Sequence, residues 1–172
     1  MPFSETLLPE FDEEMKNTRR MIECVPDDKF DYQPHPKSMT LGRLATHVAE
    51  LPSWTVFTLD REVLELGPDF KPALATSRAE LLKLFDKSVA EAREKIVAAT
   101  DEEWGKIWTF KYGGQTILSM PRSAVMRSSI MNHLIHHRAQ LGVFLRLNDV
   151  AFPGMYGPSA DEAKFQVAAA SA

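Results

Sequence analysis

The chain has 172 residues, of which 44% are hydrophobic and 26% charged, and its formal net charge is −4. This composition is that of an ordinary globular protein and excludes bulk disorder and collagen-like structure. A negative net charge gives no general attraction to nucleic acid, so we expect no nucleic-acid partner. No apolar run approaches the roughly 18 residues of a membrane span, and the first ten residues lack the pattern of a signal peptide.

These observations predict a cytoplasmic protein that has no membrane partner. The single cysteine, Cys24, cannot form an intrachain disulfide, which suits a reducing compartment. The length fits one domain, which we place over residues 1–165, with a frayed tail over 166–172.

Helical periodicity dominates the first half of the chain. Apolar residues at spacings of three and four predict a first helix from about Phe3 to Val25, which Pro26 ends. A second helix is expected to begin after Ser38 or Thr40, either of which can cap its first turn. It should run to about Asp60, with Pro52 as a kink or a break.

Two capping signatures follow. Ser77 with Glu80 predicts the start of a third helix that ends near Ala99, and Thr100 with Glu103 repeats the pattern before a short helical turn. Between positions 108 and 118, strand character competes, because aromatic and β-branched residues flank Gly113-Gly114. An isolated hairpin is only marginally stable, however, so the predicted fold remains helical there.

A fourth helix is predicted from about Ser119, with Pro121 in its first turn, to Leu147, and Asn148 is available as a left-handed cap. Four helices of this length in one small domain indicate an all-α fold. The predicted architecture is a four-helix bundle with one or two long crossover connections.

Three of the five histidines lie within five residues of the fourth helix. His133 and His137 are one turn apart on the same face, with β-carbons about 6 Å apart, so their imidazoles can converge on one ion. His136 points about 100° away and cannot share that site. The pair lies within an apolar stripe, where unsatisfied ring nitrogens would cost roughly 1–3 kcal/mol each.

His47 occupies a similar apolar position on the second helix, and facing helices can bring it opposite the pair. Three neutral imidazoles suit Zn, Ni, Fe or Mn and leave positions open for water or substrate. The alternative is a metal-free bundle whose core histidines hydrogen-bond to carbonyl groups. A zincin protease is disfavoured, because Leu134 and Ile135 stand where its glutamate general base would be.

At these residues the chain resembles the DinB/YfiT-like superfamily of metalloenzymes, which is unrelated to the DNA polymerase that shares the first name. The resemblance rests on LGRLATHVAEL around His47, on NHLIHHRAQLGVFLRLNDV, and on PGMYGPSADE from Pro153. It implies a DinB-like bundle that commonly forms a homodimer. It also implies that His47, His133 and His137 hold a divalent metal, for which Zn or Ni is the leading expectation.

The resemblance also implies a class of chemistry. Relatives include thiol-dependent S-transferases and an isomerase, so we expect a metal-dependent enzyme that acts on a small molecule, with a low-molecular-weight thiol as partner in a detoxification reaction. A metal-dependent hydrolase would use the same site. The third alternative is a stress-associated metal-binding protein without catalysis. No catalytic residue is assigned.

The remaining residues of interest have more ordinary expected roles. Glu50 is expected to be a surface carboxylate, with a role as a base or as the partner of a ligand as the alternative. Arg138 is expected to be solvated or at an interface, and Cys24 to be structural. Trp54 and other aromatic residues are expected to lie in the core, with the lining of a substrate entrance as the alternative. A second stripe of low polarity allows close packing, either of another bundle helix or of a second subunit, and we expect the homodimer; the stripe consists of Ala124, Ser128, Met131, Ile135, Ala139 and Gly142.

Overall fold

Four helical rods carry most of the chain in a computed structural model that describes residues 1–162. The helices are α1 (Phe3–Ile22), α2 (Leu41–Glu50), α3 (Trp54–Asp60), α4 (Arg78–Ala98), α5 (Asp101–Gly105), α6 (Arg122–Val125) and α7 (Asn132–Leu147). The four rods, in chain order, are α1, α2 continued by α3, α4, and α6 continued by α7. The strands are β1 (Val63–Leu66), β2 (Ile107–Tyr112) and β3 (Gln115–Pro121). The predicted domain end at residue 165 and the predicted frayed tail over 166–172 lie outside the described residues.

The first two rods follow the sequence prediction closely. α1 ends three residues before the predicted limit, and α2 begins directly after Thr40, whose hydroxyl accepts a hydrogen bond from the Arg43 amide (3.2 Å). Pro52 breaks the second rod as predicted: a 3₁₀ turn, Leu51–Ser53, separates α2 from α3. The structure is therefore mostly helical, and its described part contains five helices if each interrupted rod is counted once.

The third rod and the short α5 begin at the predicted caps. Ser77 accepts a hydrogen bond from the Glu80 amide (3.2 Å), but the Glu80 carboxylate accepts from the Thr76 amide (2.7 Å) rather than from Ser77. Thr100 and Glu103 form the complete reciprocal capping box that precedes α5. Because the first-turn amides lack helical partners, these side chains fix where each helix starts.

The expectation of an all-α fold needs correction, because a three-stranded sheet packs beside the helices. β2 and β3 form an antiparallel hairpin around Gly113 and Gly114, both of which have positive φ. β1 adds to β2 in parallel, so the sheet order is β1-β2-β3. The hairpin is not isolated: it gains a third strand and buries Trp108 completely, which supplies the packing that a lone hairpin lacks.

The last rod also differs from its prediction at both ends. Residues 119–121 pair with β2 instead of opening the helix, so α6 begins at Arg122. At the other end Asn148 has φ −108°, and the left-handed position is taken by Asp149, with φ 57°. Between α6 and α7 the backbone forms a π-helical turn, Met126–Met131, which leads directly into the histidine segment.

The apolar faces of the rods form one core. α1 packs against α4 and α7, and α2 packs against α4 and α7, so α2 and α7 are neighbours across the bundle. Completely buried side chains come from every long rod: Leu7, Phe11, Leu41, Leu81, Ile96, Ile130, Leu134 and Leu141. This packing places the middle of α2 opposite the first turns of α7. Within residues 1–162, no helix combines the length and apolar character needed to cross a membrane.

Arg138 was expected to be solvated or at an interface, and this prediction is wrong. Its side chain is 2% exposed and forms an ion pair with Glu14 of α1, with 2.7 Å between Nη2 and Oε2. It also donates hydrogen bonds to the Thr18 hydroxyl (3.0 Å) and the Tyr156 hydroxyl (2.6 Å). The Tyr156 hydroxyl in turn donates to the Glu14 carboxylate (2.8 Å), so the network ties α7, α1 and the segment after α7 together.

This network gives a test of how α7 is held. We expect Arg138→Ala to lower the free energy of unfolding by about 3–5 kcal/mol, because it leaves the buried Glu14 carboxylate without its cation. Arg127→Ala is the matched control: Arg127 pairs with Glu10 on the same two rods, but both side chains are well exposed. The control should lose about 0–1 kcal/mol in urea denaturation. Equal losses in the two variants would contradict the role given to the buried pair.

Candidate metal centre

The structure brings the three predicted histidines together. His47 lies on α2, and His133 and His137 lie one turn apart on α7. Nε2 of His133 is 3.3 Å from Nε2 of His47 and 2.9 Å from Nε2 of His137. The three rings thus present the same nitrogen to a common point, and all their ligand atoms lie within 4.8 Å of one another. Each side chain is partly buried.

Each ring is held from behind by an oxygen acceptor on its Nδ1. His47 Nδ1 contacts the Glu50 carboxylate at 2.9 Å, His137 Nδ1 contacts the Gln140 side-chain oxygen at 2.7 Å, and His133 Nδ1 contacts the Ser129 carbonyl at 3.3 Å. Because these oxygens only accept, the ring hydrogen of each neutral histidine lies on Nδ1. The tautomer that this assigns leaves the lone pair of every Nε2 pointing into the cluster.

Three lone pairs that face one another without an intervening hydrogen repel, and a cation between them removes the repulsion. Metal–imidazole bonds are about 2.0–2.1 Å long, which places the nitrogens of neighbouring ligands roughly 3 Å apart. The measured separations of 2.9 and 3.3 Å agree with that spacing. The outward hydrogen bonds are also of the kind that orient histidine ligands in metal sites. The three residues can therefore hold a divalent transition metal.

Burial keeps two of the rings neutral. It lowers the pKa of His133, with a further contribution from His47, and it lowers the pKa of His137 to about 4. Burial alone would raise the pKa of Glu50, but the hydrogen bonds from His47 and Arg43 outweigh it, so that pKa lies below its ordinary value. Near neutral pH the neutral rings of His133 and His137 thus lie near an ionised carboxylate behind His47.

The expectation that Glu50 is a surface carboxylate is wrong. Its Oε1 accepts from His47 and from Arg43 (2.8 Å), and its side chain is only 20% exposed. Sequence reasoning also missed Arg43 and the part played by Gln140. A signal for two of these contacts was present, since Glu50 and Gln140 each follow a histidine of the cluster by three positions. On a helix that spacing places a side chain on the neighbouring turn.

The other residues of interest are not part of the cluster. His136 is exposed and stands outside the set of three converging histidines, as its direction on the helix predicted. Cys24 is half-buried at the end of α1, its thiol donates to the Arg20 carbonyl (3.3 Å), and burial raises its pKa, so it is not an activated nucleophile. Trp108 belongs to the core, whereas Trp54 is half-buried and lines a pocket beside His133.

Two pockets border the cluster. One, of about 400 Å³, is lined by His137 and Gln140 together with Lys37 and Ser38. The other, of about 450 Å³, is lined by His133 and by apolar side chains of α3 and the sheet. Among residues 1–162, only the three histidines belong to the cluster, and no fourth side chain closes it. A structural zinc site normally has four protein ligands, whereas three ligands beside a pocket are typical of catalytic sites.

Comparison with known proteins shows which group of proteins the whole chain is similar to. A family model described as the DinB family matches residues 1–168. The chain is 24% identical over 152 residues to an uncharacterised Bacillus subtilis (strain 168) protein, YrdA, covering 86% of this chain and 85% of that protein. It is also similar in structure to a DinB-like protein from Bacillus cereus ATCC 10987, with a TM-score of 0.70, 25% identity, and coverage of 88% of this chain and 97% of that one.

A second solved structure shows the same fold at lower identity. It is a DinB-like protein from Bacillus subtilis, with a TM-score of 0.65 and 16% identity, and the match covers 87% of this chain and 96% of that chain. The resemblance to DinB-like proteins that the histidine segments indicated is therefore confirmed.

The lowered pKa values of His133 and His137 predict an acid-sensitive metal-free protein. As the pH falls from about 6.5 to 4, these histidines take up protons in the unfolded chain before they do so in the folded one. The free energy of unfolding should therefore fall across this window. His137→Gln removes one such group and should flatten the profile.

The measurement is denaturant unfolding in the presence of a chelator at half-unit pH steps. Because the variant and the unchanged protein share the same carboxylates, differences between the profiles report the substituted histidine. Parallel profiles for His137→Gln and the unchanged protein would contradict the prediction.

Proposed function

The chain belongs to the DinB family, and on this premise we propose that it is a divalent-metal-dependent enzyme acting on a small molecule, with His47, His133 and His137 as the metal ligands. The observation that carries the proposal is the convergence of three Nε2 lone pairs, each fixed by an oxygen acceptor behind its ring. Neutral imidazoles favour Zn, Ni or Fe, and we propose Zn or Ni as the native metal, with Fe or Mn as alternatives.

When bound, such a metal supplies Lewis acidity, which lowers the pKa of a thiol or water that reaches it. The side chains of this chain position the ligands and set the charge around them. Glu50 and Gln140 hold the rings of His47 and His137 in place, and Arg43 keeps the Glu50 carboxylate ionised beside the cluster. The cluster carries no negative ligand, so the full positive charge of the metal would be available to an anionic thiolate.

Thiol transfer or a related detoxification step is the reaction that we favour over hydrolysis. A general base would help a hydrolase to take the proton from the attacking water. Glu50 is the carboxylate in contact with the cluster, but it already accepts hydrogen bonds from His47 and Arg43, and its lowered pKa makes it a weak base. A free thiol has a far lower pKa than bulk water, so it depends less on such a base when a metal lowers its pKa further. Hydrolysis remains the alternative activity.

A non-catalytic, stress-associated metal-binding protein is the alternative from another class. The two pockets beside the cluster support an enzyme instead, because a substrate can reach the site through them. We propose a cytoplasmic location on the basis of composition and the lone cysteine.

We also propose a homodimer. The second stripe of α7 includes the exposed Ala139 and the half-buried Ile135. They line an apolar groove of about 430 Å³ together with Val143, which is 58% exposed. A second copy would cover this apolar surface.

The ligand set is tested by metal content. We expect the protein, after incubation with zinc or nickel and removal of the excess, to retain about one ion per chain. His137→Ala and His133→Ala should each lose most of it, because a site of two imidazoles binds far more weakly than one of three. His136→Ala, one residue away but outside the cluster, is the matched control and should retain the ion. Equal metal content in His137→Ala and the control would reject the ligand set.

The reaction class is tested by parallel assays of the loaded protein. One assay follows conjugation of 1-chloro-2,4-dinitrobenzene to several low-molecular-weight thiols, and the other follows hydrolysis of p-nitrophenyl acetate. We expect at least a tenfold thiol-dependent acceleration over His137→Ala, and no comparable ester hydrolysis. Hydrolysis without thiol transfer would favour the hydrolase, and the absence of both activities would favour the non-catalytic alternative.

A further inference from the structure

The pocket on the His133 side of the cluster has a wall that the helical rods alone do not provide. Its volume is about 450 Å³, within the range of small-molecule sites. α3, the β2–β3 hairpin and α7 all contribute to it. Its lining includes Trp54, Phe110, Ile117, Leu118, His133 and His136.

The wall is apolar and partly aromatic. The rings of Trp54 and Phe110 meet edge to face, with centroids 5.6 Å apart. Ile117 lies on β3 with 56% of its surface exposed, and Leu118 beside it is half-buried. These side chains leave apolar surface in contact with water next to a polar cluster. An apolar group that entered the pocket would remove that surface from water at a gain of roughly 25 cal/mol per Å².

The wall is also fixed before any ligand arrives. Trp108 is completely buried behind it, donates a hydrogen bond to the Phe57 carbonyl (3.2 Å), and stacks on Phe110 at 6.4 Å between centroids. On the other side of β2, Leu64 of β1 pairs with Phe110. A pocket built on a paired sheet loses little conformational freedom when it binds, so its apolar contacts are not offset by ordering.

The two pockets beside the cluster differ in polarity. The one next to His137 combines Lys37, Ser38 and Gln140 with apolar side chains such as Phe144. The one next to His133 combines the aromatic and aliphatic side chains of α3 and the hairpin with Ser128, Ser129 and Asn132 of the last rod. The hairpin side of this second pocket therefore favours an apolar group, and a substrate that also carries a polar, metal-seeking atom would direct that atom toward the histidines.

We propose that the pocket formed by Trp54, Phe110 and Ile117 binds an aromatic or bulky aliphatic group of the substrate, and that the hairpin selects for this group. The orientation toward the cluster rests on the proposed metal-dependent function. The affinity of the pocket for an apolar ring does not, and the two parts can be tested separately.

Binding to the pocket is tested without metal. The protein has three tryptophans, whose indole N–H groups give separate signals in ¹H–¹⁵N spectra. Those of Trp104 and Trp108 are hydrogen-bonded inside the core, and Trp54 is at the pocket. In a titration of the chelator-treated protein with benzyl alcohol, we expect a saturable shift of the Trp54 indole signal and little change in the other two. An unmoved Trp54 signal would overturn the proposal.

Ile117→Ser and Ile107→Ser make a matched pair for the same titration. Both isoleucines lie on the hairpin, with 56% and 55% exposure, but only Ile117 lines the pocket. Neither is buried, so both variants should fold. Ile117→Ser should raise the dissociation constant for benzyl alcohol at least about threefold, because apolar contact is lost, and Ile107→Ser should leave it unchanged. Equal effects of the two substitutions would contradict the assignment.

The orientation is tested on the zinc-loaded protein with two thiols. Benzyl mercaptan should bind at least about tenfold more tightly than ethanethiol, and Ile117→Ser should reduce that ratio. If no zinc is retained, the proposed function fails, but the benzyl alcohol titration still shows whether the pocket binds an apolar ring. If zinc is retained but the two thiols bind equally, the function stands and the orientation is wrong.

Discussion

Ring nitrogens that aim their lone pairs at one another are unfavourable unless a cation lies between them, and this constraint governs the centre of the molecule. Nε2 of His133 lies 3.3 and 2.9 Å from the corresponding atoms of His47 and His137. The arrangement is not a loose contact of three side chains, because each ring is locked by an oxygen acceptor on its far nitrogen. The protein therefore holds three metal-binding nitrogen atoms in position for an ion, even though their lone pairs repel one another.

The rest of the bundle can be understood as the support of that arrangement. α7 must present His137 to α2, and the next residue, Arg138, lies about 100° further around the helix. Its buried ion pair with Glu14 fixes this rotation, because any other orientation would leave a charge buried without its partner. The π-helical turn before α7 contributes as well. It ends just before His133 and includes Ser129, whose carbonyl contacts that ring, and such turns often occur at functional sites.

The sequence predicted these features unevenly, and the reasons are physical. Caps, the break at Pro52 and the i, i+4 histidine pair depend on local geometry, so they could be predicted from residue spacing. The sheet depends on β1, which lies more than forty residues before its partner strand, and pairing over that separation leaves no local pattern. The burial of Glu50 and Arg138 depends on which elements pack against each side chain, so their exposure was predicted wrongly, although the contacts of Glu50 with His47 and Arg43 lie within α2. The convergence of His47 on the pair depends on how two rods pack against each other. Residue spacing could supply only a hypothesis for that packing, and the structure supplies the distances.

The most direct test of the account is the position of the ion itself. Crystals of the zinc-loaded protein, measured on both sides of the zinc absorption edge, should give one strong anomalous peak per chain in contact with Nε2 of His47, His133 and His137. The expected distances are about 2.0–2.1 Å. A map without a peak at that point, with the three rings bonded to water or to one another, would contradict the claim that they form a metal centre.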